Sequence, residues 1–116
     1  DNSNPTLTDC TFTNNTAINN GGGMVNEYFS NPTLENCIFE SNSAYNGGGM
    51  YNEEESNPTL ENCTFTNNIA DEDGGGMFNS SSSPTLDGCT FTANSVDYDG
   101  GGIYNYYSIP TLDGCT

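Results

Sequence analysis

The chain has 116 residues with 16 Asp and Glu and no Lys, Arg or His, a formal net charge of −16. With nothing to neutralise a phosphate, it is excluded from binding nucleic acid or an anionic membrane face through a basic patch, and no apolar run approaches the roughly 20 residues of a membrane-spanning helix. Only 32% of the residues are hydrophobic, a composition that leads to disorder unless those residues are regularly placed.

They are. The first unit runs Pro5-Thr6-Leu7, then Cys10, Phe12, Asn15 and Ala17, then a glycine triplet at Gly21 to Gly23, Met24 and Asn26. The same series returns as Pro32, Leu34, Cys37, Phe39, Asn42, Ala44, Gly47 to Gly49, Met50 and Asn52, and twice more from Pro58 and Pro84. A partial fifth copy covers Pro110, Leu112 and Cys115. The cysteines are spaced 27, 26, 26 and 26 residues apart. A whole structural unit is therefore repeated, and each copy buries its apolar face against the next, which makes residues 1–116 a single solenoid segment. The partial copy and the lack of capping sequence predict that the segment belongs to a longer array.

Within a unit, Leu7, Cys10, Phe12, Asn15 and Ala17 also fit the spacing L-x-x-L-x-L-x-x-N-x-L, so a leucine-rich-repeat-like solenoid is the alternative fold. The second half of the unit decides against it, because a glycine triplet in a helix costs about 1 kcal/mol per glycine. Gly23-Met24-Val25-Asn26 and Gly49-Met50-Tyr51-Asn52 instead alternate with period two, the strand signal. Two or three short strands per unit, coiled at a rise of about 4.8 Å, give an all-β parallel β-helix with about 26 residues per coil and roughly four and a half coils.

That register names the inward columns. Leu7, Leu34, Leu60, Leu86 and Leu112 stack, as do the five cysteines, Phe12, Phe39, Phe65 and Phe91, the file Met24, Met50, Met77 and Ile103, and the small residues Ala17, Ala44, Ala70 and Val96. Two asparagine columns are expected, Asn15, Asn42, Asn68 and Asn94, and Asn26, Asn52, Asn79 and Asn105, whose amides bond from coil to coil and satisfy the backbone at bends. The cysteines are expected to form a ladder of buried free thiols, since parallel Cβ vectors in register do not suit a disulfide dihedral and Cys packs as a small hydrophobe.

The segments Phe12-Thr-Asn-Asn15 with Gly21-Gly-Gly-Met24, and Phe91-Thr-Ala-Asn94 with Gly100-Gly-Gly-Ile103, resemble the F-x-x-N and G-G-A-I repeats of chlamydial polymorphic outer-membrane proteins. They are similar more broadly to secreted proteins with right-handed parallel β-helix repeats. The resemblance implies a right-handed coil and a cell-surface or extracellular passenger region that adheres or builds an envelope structure. It carries no catalytic or ligand residues with it.

Acidic residues offer the chemical candidates. Glu35, Glu61, Asp87 and Asp113 fall in one column, and Asp71 and Asp73 are expected beneath Asp97 and Asp99 just before the glycine triplets. Calcium, with six to eight oxygen ligands, would relieve repulsion at Asp71, Asp73, Asp97 and Asp99; a solvated acidic face is the simpler expectation. Catalysis is not expected, because a lyase base is missing and repeated carboxylates form no singular constellation. Ice binding through Thr11-Phe12-Thr13, Thr64-Phe65-Thr66 and Thr90-Phe91-Thr92 is a further class, interrupted at Ile38 and Glu40, with carbohydrate binding beside it. The function expected is a non-catalytic extracellular structural or adhesive rod, with partners among further repeats, other copies or cell-surface ligands. Its contact loops would be Glu27 to Asn31, Glu53 to Asn57 and Tyr106 to Ile109.

Overall fold

The computed structural model describes residues 2–116 and is built of parallel strands. The first coil contributes β1 (Thr6–Thr8), β2 (Thr11–Thr13) and β3 (Met24–Asn26). The second contributes β4 (Thr33–Glu35), β5 (Ile38–Glu40), β6 (Ser43–Ala44) and β7 (Met50–Glu53). The third has β8 (Thr59–Glu61), β9 (Thr64–Thr66), β10 (Ile69–Ala70) and β11 (Met77–Ser80), and the fourth β12 (Thr85–Asp87), β13 (Thr90–Thr92), β14 (Ser95–Val96) and β15 (Ile103–Tyr106). A last strand, β16 (Thr111–Asp113), begins another turn.

These strands form four parallel sheets ordered β1-β4-β8-β12-β16, β2-β5-β9-β13, β6-β10-β14 and β3-β7-β11-β15. The register pairs each residue with its equivalent one coil away: Leu34 with Leu60, Phe39 with Phe65, Met50 with Met77. Among the described residues there is no helix, so the leucine-rich alternative is set aside. The coil holds four strands rather than two or three. The extra one is the two-residue stretch after the asparagine bend, too short to show a period, where Ala44, Ala70 and Val96 turn inward.

Strands of two to four residues need a corner after each, and the corners are made by left-handed residues. Asp9, Asn36, Asn62, Gly88 and Gly114 close the first corner at φ between 51° and 60°. Asn14, Ser41, Asn67 and Ala93 close the second. Asn, Asp and Gly tolerate this conformation better than other residues. The third corner falls on the first glycine of each triplet: Gly47 has φ +64°, and a Cβ there would stand 2.5 Å from the Met50 carbonyl oxygen. The last glycine serves close packing, since a Cβ on Gly49 would meet the Gly76 carbonyl at 2.5 Å and the Phe65 ring at 2.8 Å.

The interior follows from these corners. Leu34, Leu60, Leu86, Phe39, Phe65, Met50 and Met77 are fully buried, and the end-coil residues Leu7, Phe12, Met24, Phe91 and Ile103 pack against them. The phenylalanine rings stack with centroids 4.6, 4.6 and 4.7 Å apart and planes within 7° of parallel, so coil spacing and ring stacking coincide.

Candidate functional site

The asparagine columns are the most ordered polar features. Asn68 is fully buried; its Oδ1 accepts from the Asn42 backbone N–H and Nδ2 at 3.0 Å each, while its Nδ2 donates to the Phe39 carbonyl and the Asn94 Oδ1 at 2.9 Å. Asn42 repeats the pattern with Asn15 and Phe12. In the second column Nδ2 of Asn26, Asn52 and Asn79 donates to Oδ1 of the next asparagine at 2.8 Å. Among the described residues no buried side-chain polar atom lacks a partner. These asparagines are structural, as their spacing predicts.

Three further ladders run beside the two asparagine columns. Ser30, Ser56 and Ser82 are buried, and the backbone N–H of each donates to the hydroxyl of the serine one coil on, at 3.0, 3.2 and 3.0 Å, ending on Ser108. Outside them, Asn31, Asn57 and Ser83 donate their N–H to Oδ1 of Asn4, Asn31 and Asn57 at 2.7, 2.6 and 2.5 Å. The serines recur every 26 residues, so the signal was there; the loop's varied composition hid it.

The third ladder concerns the aspartates. Asn20, Asn46, Asp73 and Asp99 share one position: Asn20 bridges Asn46 and Asp73 bridges Asp99. Asp73 N–H donates to Asn46 Oδ1 at 3.3 Å and Asp99 N–H donates to Asp73 Oδ1 at 3.1 Å. One Asp73 oxygen is thus engaged in capping the next coil, a role that Asn46 fills one coil below. Asp71 and Asp97 are exposed beside this pair. Among the described residues no three His, Cys, Asp or Glu side chains converge on one point. The column Glu35, Glu61, Asp87 and Asp113 is in register and exposed.

The threonine array is in register as well, and Ile38 and Glu40 sit between Thr11 and Thr64 and between Thr13 and Thr66. A different threonine column is unbroken: Thr6, Thr33, Thr59, Thr85 and Thr111, all exposed on the leucine sheet.

Outward aromatic residues cluster at two of the turns. On the sheet before the loops, Tyr51 and Phe78 stack at 5.0 Å and Tyr104 lies tilted by 37° against Phe78 at 5.1 Å, with Tyr51 and Phe78 nearly buried. The Tyr51 hydroxyl donates to Glu53 at 2.9 Å; burial, followed by that bond and the Glu53 charge, pushes the phenol above its ordinary range. The loops beyond expose Tyr28, Phe29, Tyr106 and Tyr107, with Tyr107 81% exposed, and Tyr28, Phe29 and Tyr107 hold positive φ. Before the glycines, exposed Tyr45 and Tyr98 flank Glu72, each bonded through the backbone to it. Copies differ in length only at these two turns: two residues separate Ala44 from Gly47 where three separate Ala17 from Gly21, and Asn79 to Pro84 is one residue shorter than Asn52 to Pro58.

At the first-coil end lies an open groove of about 460 Å³ beside the unpaired edge of β3, lined by Met24, Asn26, Ser30 and Pro32 among others. It continues the column of inward residues rather than gathering a new set of polar groups.

Compared with known proteins, residues 1–116 match the family described as a right-handed beta helix region, and the chain belongs to that family. No curated protein and no solved structure matches it.

Proposed function

We propose that this chain is part of a non-catalytic extracellular β-solenoid, a surface adhesin, sheath or filament component, that supplies stiffness and a repeated outer surface. The observation that carries the reading is where the copies differ. Strands, corners and internal ladders are repeated from coil to coil, while length and side chains vary at the two exposed turns that display Tyr28, Phe29, Tyr45, Tyr98 and Tyr107. Recognition on a rigid scaffold is commonly carried by such loops. The likeness of the F-x-x-N and glycine-triplet segments to chlamydial surface repeats supports the same reading. Partners would be further repeats, other copies of the chain, or ligands on a cell surface.

The family also accommodates enzymes that act on polysaccharides, and fold alone does not decide between them. Two carboxylates at about 5 to 9.5 Å would satisfy a glycosidase. Here the acidic side chains stand in columns, so that spacing arises at many places and singles out none. The test is binding of the labelled chain to cell surfaces and glycan arrays, compared with a variant carrying Tyr28→Ser, Phe29→Ser and Tyr107→Ser. Binding that the variant loses while keeping its β circular dichroism supports the reading; turnover of an acidic polysaccharide by the parent chain overturns it.

Calcium at Asp71, Asp73, Asp97 and Asp99 is the metal to try. Stabilisation by micromolar calcium that Asp73→Asn with Asp99→Asn abolishes would establish the site. Equal stabilisation by sodium at matched ionic strength would assign the effect to screening over about 10 Å at 0.1 M.

A further inference from the structure

The chain carries 16 carboxylates and no basic side chain, so none of that charge is paired by a Lys, Arg or His of its own. Five of the carboxylates, Asp71, Glu72, Asp73, Asp97 and Asp99, stand on the turn before the glycines in the third and fourth coils. Among the described residues no three acidic side chains converge as metal ligands do. What sets this turn apart is a pair of tyrosines. Tyr45, Glu72 and Tyr98 occupy one column: the Glu72 N–H donates to the Tyr45 carbonyl at 2.9 Å, and the Tyr98 N–H donates to the Glu72 carbonyl at 3.2 Å. The coil repeat, measured on the stacked phenylalanines, is 4.6 to 4.7 Å, so the two tyrosines leave the backbone about 9 Å apart with the glutamate midway. Tyr45 is 46% and Tyr98 75% exposed, and Glu72 is half-buried. Glu72 raises the Tyr45 phenol above its ordinary range, first by hydrogen bonding to the hydroxyl and then by its charge, with smaller contributions from desolvation, Tyr98 and Asp71, so these four side chains share one neighbourhood. The fold does not require aromatic residues there, since in the first coil Asn19 takes the same place and its carbonyl accepts the Tyr45 N–H.

A cation held over Glu72 lies about one coil repeat from each tyrosine position, inside the reach of about 6 Å over which a ring face attracts a cation. The carboxylate supplies the counter-charge, and Asp71 and Asp97 beside it raise the local concentration of cations. A lysine side chain suits this arrangement. Its four-carbon stem covers apolar ring surface while the compact ammonium, with three donors, meets the carboxylate. A phospholipid headgroup carries a phosphate beside its nitrogen, which the surrounding carboxylates repel.

We propose that Tyr45, Glu72 and Tyr98 form a docking surface for a lysine side chain of a basic partner protein. The inference rests on the surface reading above and deepens it, naming the partner chemistry at one of the two variable turns. A single exposed contact of this kind is weak, and a partner with several lysines gains further from the acidic columns on either side.

The experiment is an NMR titration of the isotope-labelled full chain with lysine blocked at both ends, beside Nε-acetyl-lysine blocked in the same way, at fixed ionic strength. Shifts are expected at Tyr45, Glu72 and Tyr98 with lysine and not with acetyl-lysine. Tyr98→Ser leaves the charge unchanged and is expected to weaken binding about two- to fivefold, as is Tyr45→Ser, whereas Tyr45→Phe keeps the ring and the affinity. Glu72→Gln is expected to weaken it more than Glu61→Gln, which removes equal charge from another face of the same coil. Diffuse attraction by the net charge gives a different pattern: shifts spread over every acidic column, no effect of Tyr98→Ser, and equal effects of the two charge removals. Any of these overturns the proposal. If another variant loses its β circular dichroism, Tyr98→Ser and the acetyl-lysine comparison decide, because Tyr98 is three-quarters exposed. Binding of the labelled chain to cell surfaces separates the two readings. A parent chain that binds cells without any lysine response removes the lysine site and leaves the surface reading standing; a lysine response without cell binding keeps the site and removes that reading.

Discussion

Replacing Asn68 by alanine isolates the coil-to-coil polar ladder. Asn68 makes four hydrogen bonds while fully buried, two accepted from Asn42 and one donated to each of Phe39 and Asn94. A net hydrogen bond contributes about 1 kcal/mol, and a buried group left unpaired costs about 1 to 3 kcal/mol. Alanine leaves the Asn42 N–H without its acceptor and takes one partner each from the Phe39 carbonyl, from the Asn42 Nδ2, which keeps the Phe12 carbonyl, and from the Asn94 Oδ1, which keeps the residue 68 N–H. Allowing for a water that enters the space and recovers part of the loss, the destabilisation expected is about 4 kcal/mol, a large share of the 5 to 15 kcal/mol typical of folded domains. The neighbouring column calibrates it: Asn52 is equally buried but has only two ladder bonds, to Asn26 and Asn79, so Asn52→Ala is expected to cost about half as much. Urea unfolding at constant slope provides the measurement. Equal losses at the two positions, or a loss below about 1 kcal/mol at Asn68, would refute the bond-counting argument.

Thiol reagents are expected to modify Cys10 and Cys115 in the native state and Cys37, Cys63 and Cys89 only after denaturant; uniform native labelling would contradict the burial. Gly49→Ala drives a Cβ against the Gly76 carbonyl and the Phe65 ring, and is expected to destabilise by more than about 3 kcal/mol, read as a fall in the melting temperature; a neutral result would mean that the coils separate easily. Burial and the Glu53 charge raise the Glu27 carboxyl above its ordinary 4.5. The folded state thus favours the neutral acid, giving stability that is complete below pH 4.5 and lost as pH rises through the raised folded value. Glu27→Gln is accordingly expected to be more stable than the parent at pH 7 and to lose that advantage toward pH 4; an unchanged difference between the two pH values would show that Glu27 is not the titrating group.

Residues with one dominant physical role were the legible ones. Leu34, Phe39 and Met50 could be assigned inward because an apolar residue recurring every coil has nowhere else to go, and Asn42 and Asn68 because a polar residue that recurs among them must be paired. Corners were half legible: Asn36, Asn62 and Gly88 favour left-handed backbone, but Ala93 and Tyr107 occupy the same kind of corner against their preference, imposed by the coils beside them. The fourth strand escaped notice because two residues such as Ile69 and Ala70 have no readable period. Ser56 and Ser82 lie in loops of otherwise unlike sequence, and only the folded chain ties those loops to one another beneath their exposed side chains. For Asp73 the sequence suggested chelation by column; the geometry adds that one of its oxygens already holds Asp99 N–H.

The same one-dimensional arrangement explains how a chain of net charge −16 folds. In a solenoid, stability is close to a sum of coil contributions and nearest-neighbour contacts. Stacked like charges such as Glu35 and Glu61 repel by about 1 kcal/mol in water-like surroundings. Against each such pair stand a buried leucine, a stacked phenylalanine, a methionine and two asparagine bonds, and burying one large apolar side chain already contributes about 1.5 to 3 kcal/mol. Acidic side chains point outward from strands whose inward residues are unaffected by them, so charge is added to the surface without touching the source of cohesion. A middle coil has neighbours on both sides and an end coil on one, which is why Leu60 is fully buried and Leu112 is 49% exposed. Repulsion therefore weighs most at the ends, where cohesion is halved, and loss of structure at low ionic strength should begin there and travel inward.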